Sequence, residues 1–90
     1  MTLKTPNEMA ADTAARLRRV RKAKGITIKE LSIRSGVPNS TIRRFEHSGE
    51  ISFVALVKLA SAMGEDRQIT ELFADYVPGS IEEVIRDNRR

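Results

Sequence analysis

Residues 35–46, SGVPNSTIRRFE, are the most informative part of the sequence for predicting the fold. Gly36 can adopt the left-handed backbone conformation at little cost, and Pro38 suits the entry of a following helix. A short helical pattern comes next, in which the apolar residues Ile42 and Phe45 share one face. The stretch therefore predicts a tight turn that leads directly into a short helix.

A second helix is expected immediately before this turn. Thr27, followed three residues later by Glu30, has capping-box spacing, and Leu31 is the inward apolar residue. Two short helices joined by a tight turn with glycine form a helix-turn-helix. An ordinary helical hairpin fits the same pattern. DNA recognition is favoured by the shortness of the helix that follows the turn, by the polar residues on its outer face, and by the surrounding basic charge.

The whole chain is expected to be all-α, with six helical segments and no sustained strand pattern. The fourth segment is the most apolar and is expected to form the centre of the core. The fifth is expected to turn Ile69, Leu72 and Phe73 inward. The expected bounds are 8–24, 27–36, 38 or 39 to 46, 53–62 and 66–74, with a last helix after Ser80. The corresponding division of the chain is a flexible N-terminus (1–7), a helix-turn-helix domain (8–75) and a C-terminal extension (76–90).

Charge is distributed unevenly along the 90 residues. The net charge is +4, but residues 16–44 carry +9 and residues 45–90 carry −4. A cationic half of this kind attracts polyanions, although a solvated helix face has the same composition. The chain has no cysteine, and its one histidine has no partner that would form a metal site. We therefore expect a cytoplasmic protein that is not an enzyme, has no cofactor and does not enter a membrane.

The segment from Leu17 to Gly64 resembles the lambda-repressor-like (Cro/CI-type, XRE) helix-turn-helix family. The resemblance is carried by the run LVKLASAMG and by Leu31, Gly36, Val37, Ile42 and Glu46. It implies a five-helix domain whose third helix enters the DNA major groove, as a homodimer on an inverted-repeat operator in double-stranded DNA. The chain departs from the family at Ile28, where a phosphate-binding glutamine is common, and at Ser32, where alanine is common. A serine there can bond back to a carbonyl one turn earlier.

The remainder of the chain, AMGEDRQITELFADYVPGSIEEVIRDNRR, is similar to the C-termini of HipB-like regulators encoded beside HipA-type kinases. That similarity implies an antitoxin or autorepressor that binds the kinase toxin or its complex. The alternative is a protein-interaction adaptor whose main role is to hold a partner kinase, with DNA binding secondary.

The outer face of the third helix carries groups that can read DNA bases. Arginine matches guanine O6 and N7, and asparagine matches adenine N6 and N7. Cations on the second helix and on the flank of the third are better placed for phosphate. His47, at the far end, is expected at the rim. The candidate base contacts are Asn39, Ser40, Thr41 and Arg44, and the candidate phosphate contacts are Lys29, Arg34 and Arg43.

Two charged residues lie on apolar stripes of the first and third helices. A lone buried charge is costly, so Arg21 and Glu46 are expected to pair, and the resemblance implies the same pair. Its role would be to orient the third helix. A dimer or partner surface is expected on the last two segments, and its candidate residues are Leu72, Phe73, Tyr76 and Ile81.

Overall fold

The computed structural model describes residues 3–76 and contains, over that range, five α-helices and no strand. The all-α prediction is confirmed. The sixth expected helix and Ile81 lie outside the described residues. The helices are α1 (Pro6–Ala23), α2 (Ile28–Ser35), α3 (Asn39–Ser48), α4 (Phe53–Ala62) and α5 (Asp66–Thr70).

The first helix begins at Pro6, two residues before the expected start at Glu8. The Thr5 hydroxyl accepts a hydrogen bond from the Glu8 N–H at 3.1 Å, and the Glu8 carboxylate accepts one from the Thr5 N–H at 2.9 Å. This reciprocal pair is a capping box, with proline in the first turn. The same spacing is visible in the sequence as Thr-Pro-Asn-Glu.

The turn between α2 and α3 forms as expected at its glycine. Gly36 has φ +77°, and the capping box of Thr27 and Glu30 starts α2. The expectation for Ser32 is wrong, because its hydroxyl donates forward to the Val37 carbonyl at 2.6 Å rather than back along the helix. The hydrogen bond ties the C-terminal half of α2 to the turn.

The core lies where α3 packs against both α1 and α2, while α4 packs against α2. Its largest fully buried side chains are Leu31 of α2, Ile42 and Phe45 of α3, and Leu59 of α4. Burying one such side chain contributes about 1.5–3 kcal/mol. Because α3 supplies two of the four, burial of its inner face determines which face remains outside.

The second half of the chain differs from expectation in two places. In α4, Leu59 is buried but Val54 is 64% exposed, so the helix covers the core with one face only. The fifth helix ends at Thr70 instead of Ala74. Phe73 has a φ of +61°, which breaks helical periodicity, and both Leu72 and Phe73 are exposed instead of inward.

Candidate nucleic-acid interface

The third helix presents a polar face opposite its buried one. Asn39, Ser40 and Arg44 are exposed, whereas Thr41 is half-buried. The helix runs to Ser48, two residues beyond the expected end at Glu46. Three of the four candidate base contacts therefore lie on an accessible surface, and the fourth is only partly accessible.

The N-terminus of α3 has no side-chain cap. Hydroxyl groups of Thr5, Thr27 and Ser52 accept hydrogen bonds from first-turn N–H groups of α1, α2 and α4. In α3 the N-cap is Pro38, no side-chain hydrogen bond is made, and the first turn has no acidic residue. The first-turn N–H groups and the positive end of the helix dipole are thus open to an external acceptor.

A buried ion pair joins α1 to α3. Arg21 Nε lies 2.8 Å from Glu46 Oε2, and Arg21 Nη2 lies 3.0 Å from Glu46 Oε1. The two side chains are only 8% and 7% exposed. Arg21 Nη1 also donates to the Ile26 carbonyl at 2.8 Å. Hydrogen bonding to the carboxylate raises the pKa of Arg21, against the effect of burial.

This bidentate contact fixes the rotation of α3 about its axis. Glu46 lies on the inner side of α3, and its two oxygens accept parallel hydrogen bonds from one planar guanidinium. The pairing expected from the sequence is present with this geometry. The opposite face of α3, with Ser40 and Arg44, is consequently held toward solvent.

An open cationic cavity of about 320 Å³ lies beside the ion pair. Arg18 of α1 and Arg43 and His47 of α3 contribute to its lining. Arg18 Nε is 3.8 Å from Glu46, and its side chain is 55% exposed. The cavity was not evident from helical periodicity, because it forms only where α1 and α3 are juxtaposed.

The two candidate phosphate contacts on α2 do not line this cavity. Lys29 and Arg34 are both exposed. Arg34 Nη2 is 3.7 Å from Glu30 one turn earlier, which is a surface pair of little energetic consequence. Ile28, which stands where the family often has glutamine, lines the cavity and packs partly against the core.

The sequence reasoning missed one contact on the outer face of α3. Arg44 Nη2 donates to Glu50 Oε2, in the turn that follows the helix. The side chains are 71% and 64% exposed. Six residues separate the two, which is not a helical spacing, so only the path of the turn brings them together.

A separate apolar groove of about 410 Å³ runs between α1, α4 and α5, and Leu72 lines it together with Leu17, Val20 and Leu56. Phe73 and Tyr76 are 88% and 58% exposed. Three of the four candidate residues of the dimer or partner surface are therefore accessible, and Ile81 lies outside the described range.

Residues 3–76 contain no group of three or more histidine, cysteine or acidic side chains that could hold a metal ion. Over the same range, no helix has both the length and the apolar character needed to cross a membrane.

Comparison with known protein families shows which family the domain belongs to. Residues 17–69 match the helix-turn-helix family HTH_3, a span that covers more than half of the chain and includes α2, α3 and α4 completely. No curated protein and no solved structure gives a significant match. The matched span includes the buried Arg21–Glu46 pair and the exposed face of α3. The chain therefore belongs to the helix-turn-helix family of DNA-binding domains, of the lambda-repressor-like (XRE) type.

Proposed function

We propose that the protein is a sequence-specific transcriptional repressor that binds double-stranded DNA through α3. Family membership implies DNA binding. The observation that carries the proposal further is the outer face of α3, where Arg44 and two small polar side chains are exposed beside an uncapped helix N-terminus. The buried Arg21–Glu46 pair supports it by holding that face outward.

In this proposal the outer face of α3 contacts the bases, and the surfaces on either side of it contact the phosphates. Arg44 would read guanine in the major groove, with Asn39, Ser40 and Thr41 near neighbouring base edges. Phosphates would be held by the exposed cations of α2 and by the cavity beside the ion pair. The proposed phosphate contacts are Lys29, Arg34 and Arg43.

We further propose that the protein binds DNA as a homodimer on an inverted repeat. One helix as short as α3 reads few base pairs, whereas two placed about 34 Å apart read one face of the duplex. The support for a dimer surface is the apolar groove lined by Leu72 and the exposed rings of Phe73 and Tyr76. Exposed apolar side chains that lie together are typical of an interaction site.

The same apolar surface supports a second candidate function. An adaptor that holds a HipA-type kinase also needs an accessible apolar patch, and the C-terminal resemblance favours such a partner. We further propose that the protein autoregulates a HipA-type toxin–antitoxin operon, in which it would bind both its operator and the kinase toxin or its complex. The division into a flexible N-terminus, a DNA-binding domain and an extension remains a prediction.

Two experiments test these proposals: footprinting on the DNA upstream of the protein's own gene, and light scattering of the protein–DNA complex. The repressor proposal expects two symmetric protected half-sites, about one helical turn apart, with two chains bound. Adding the product of the adjacent kinase gene should extend or strengthen the footprint. Uniform, salt-sensitive coverage without a preferred site would contradict specific repression. Tight kinase binding alongside such coverage would support the adaptor instead.

A further inference from the structure

We propose that Glu50 is a specificity-determining residue, which positions Arg44 for guanine and weakens its attraction to DNA phosphates. The inference rests on the proposed function, in which α3 faces the DNA. It concerns a residue outside the helix-turn-helix motif itself, in the turn between α3 and α4.

The contact lies on the surface that faces DNA in the proposed function. Glu50 Oε2 accepts a hydrogen bond from Arg44 Nη2, and both side chains are more than half exposed. Between Leu31 and Ile51 the only other acidic residue is Glu46, which is buried against Arg21. Glu50 is thus the acidic group that acts directly on the cation of the outer face.

The backbone of Glu50 is held in place on both sides. Its N–H donates to Ser48 Oγ at 3.2 Å, and the Ser48 hydroxyl donates to the Arg44 carbonyl at 2.8 Å. Gly49 has φ +83°, and a Cβ there would lie 2.7 Å from the backbone of α1. Ile51, on the other side, packs against the core. The carboxylate is therefore presented to Arg44 by an anchored turn.

The geometry leaves Arg44 able to read a base. A guanidinium has five N–H donors, and the carboxylate engages only the Nη2 group. The remaining donors can form the bidentate contact to guanine O6 and N7. Because the contact restricts the orientations of a long flexible side chain, less conformational freedom is lost when Arg44 binds the base.

The Glu50 carboxylate weakens the attraction of Arg44 to DNA phosphates. Binding to phosphate depends mainly on net charge, since each neutralised phosphate releases counterions. An adjacent negative charge offsets the positive charge of Arg44 and also repels the DNA backbone. Glu50 should therefore weaken binding to arbitrary duplexes more than binding to a duplex with guanine at the right position, which is how a repulsive group improves specificity.

The test compares four forms of the full chain: wild type, Glu50→Gln, Arg44→Ala and the double variant. The probes are a duplex selected by the wild type from a random library, its single-base variants, and a scrambled duplex of equal composition. Dissociation constants are measured over a range of salt concentrations. Glu71→Gln is the matched control, because Glu71 is also exposed and paired with an arginine, Arg67, but lies beside α5.

Glu50→Gln should bind the scrambled duplex about fivefold more tightly, with a salt slope steeper by about 0.9, the value for one additional phosphate contact. Its discrimination at the base pair read by Arg44 should fall about tenfold, within the range of one bidentate contact. In the Arg44→Ala background, Glu50→Gln should change no base preference. Glu71→Gln should leave affinity and discrimination unchanged. Thermal melts of all forms should match, because the pair is exposed.

Two results overturn the inference while leaving the proposed function standing. In the first, the wild type selects a specific site, but the Glu50→Gln variant keeps full discrimination at the base pair read by Arg44. The other is equal tightening on the scrambled duplex with and without Arg44, which would make Glu50 a general repulsive charge. A wild-type chain that binds all duplexes alike overturns the inference and specific repression together.

Discussion

Replacing Glu46 by alanine should strongly destabilise the fold, and the structure indicates by how much. The substitution removes two charge-assisted hydrogen bonds, at 2.8 and 3.0 Å, from an arginine side chain that is 8% exposed. Each such bond is worth about 1.5–3 kcal/mol, and breaking a buried pair costs about 3–5 kcal/mol. The adjacent cavity is open, so water can reach the unpaired guanidinium, and the loss should lie at the lower end of that range, about 3 kcal/mol.

Urea unfolding followed by circular dichroism measures this loss. A domain of this size has about 5–15 kcal/mol of stability, so the Glu46→Ala shift should be large. Arg21→Met combined with Glu46→Leu should recover much of it, because no unpaired charge then remains buried. A Glu46→Ala variant within about 0.5 kcal/mol of wild type would mean that the pair contributes no more than an ordinary surface contact.

Three further predictions concern the turn after α3, the phosphate contacts and acid stability. Gly49→Ala should reduce the free energy of unfolding in urea melts by about 3 kcal/mol, because it adds both left-handed backbone strain and a clash with α1. Gly25→Ala, where φ is +70° and the surrounding space is open, should cost only about 1 kcal/mol. Equal costs for the two variants would contradict the close packing of Gly49 against α1. Lys29→Ala or Arg34→Ala should weaken binding to all duplexes alike and reduce the salt slope by about 0.9 each, and a change in base preference would contradict the phosphate role. The pKa of Glu65 is lowered, chiefly by a hydrogen bond from Lys24, whose Nζ lies 3.2 Å from the carboxylate. The contribution of this contact to folding stability is therefore present above the ordinary carboxyl pKa and is lost as the pH falls through the lowered value. Glu65→Gln should therefore reduce the loss of stability as the pH falls through and below the ordinary carboxyl range, and an unchanged profile would contradict this.

Much of the motif could be predicted because local chemistry determines it. The Thr27 capping box, the left-handed Gly36 and the apolar spacing of Ile42 and Phe45 each specify a helix end or a buried face. The Arg21–Glu46 pair could be inferred because two opposite charges on apolar stripes have few other partners.

The remaining features of the fold and the site depend on turns and packing that helical periodicity does not describe. The Arg44–Glu50 contact is created by the turn after α3, and no spacing rule connects residues across it. In α4 nearly every residue is apolar, so the sequence could not show that Phe53 and Val54 face outward. The left-handed conformation of Phe73 is rare for a bulky residue, and the apolar spacing of Ile69, Leu72 and Phe73 gives no sign of it, so a helix through Ala74 is predicted where α5 ends at Thr70.

Binding selection from a random duplex library, with wild type and Arg44→Ala, shows whether α3 reads DNA bases through its exposed face. The wild type should enrich an inverted repeat containing a guanine at one symmetric position in each half-site. Arg44→Ala should still enrich the repeat but lose preference at that position, with an affinity loss of about 1–3 kcal/mol per half-site. Identical base preferences for the two proteins, at every position of the repeat, would contradict base reading by α3.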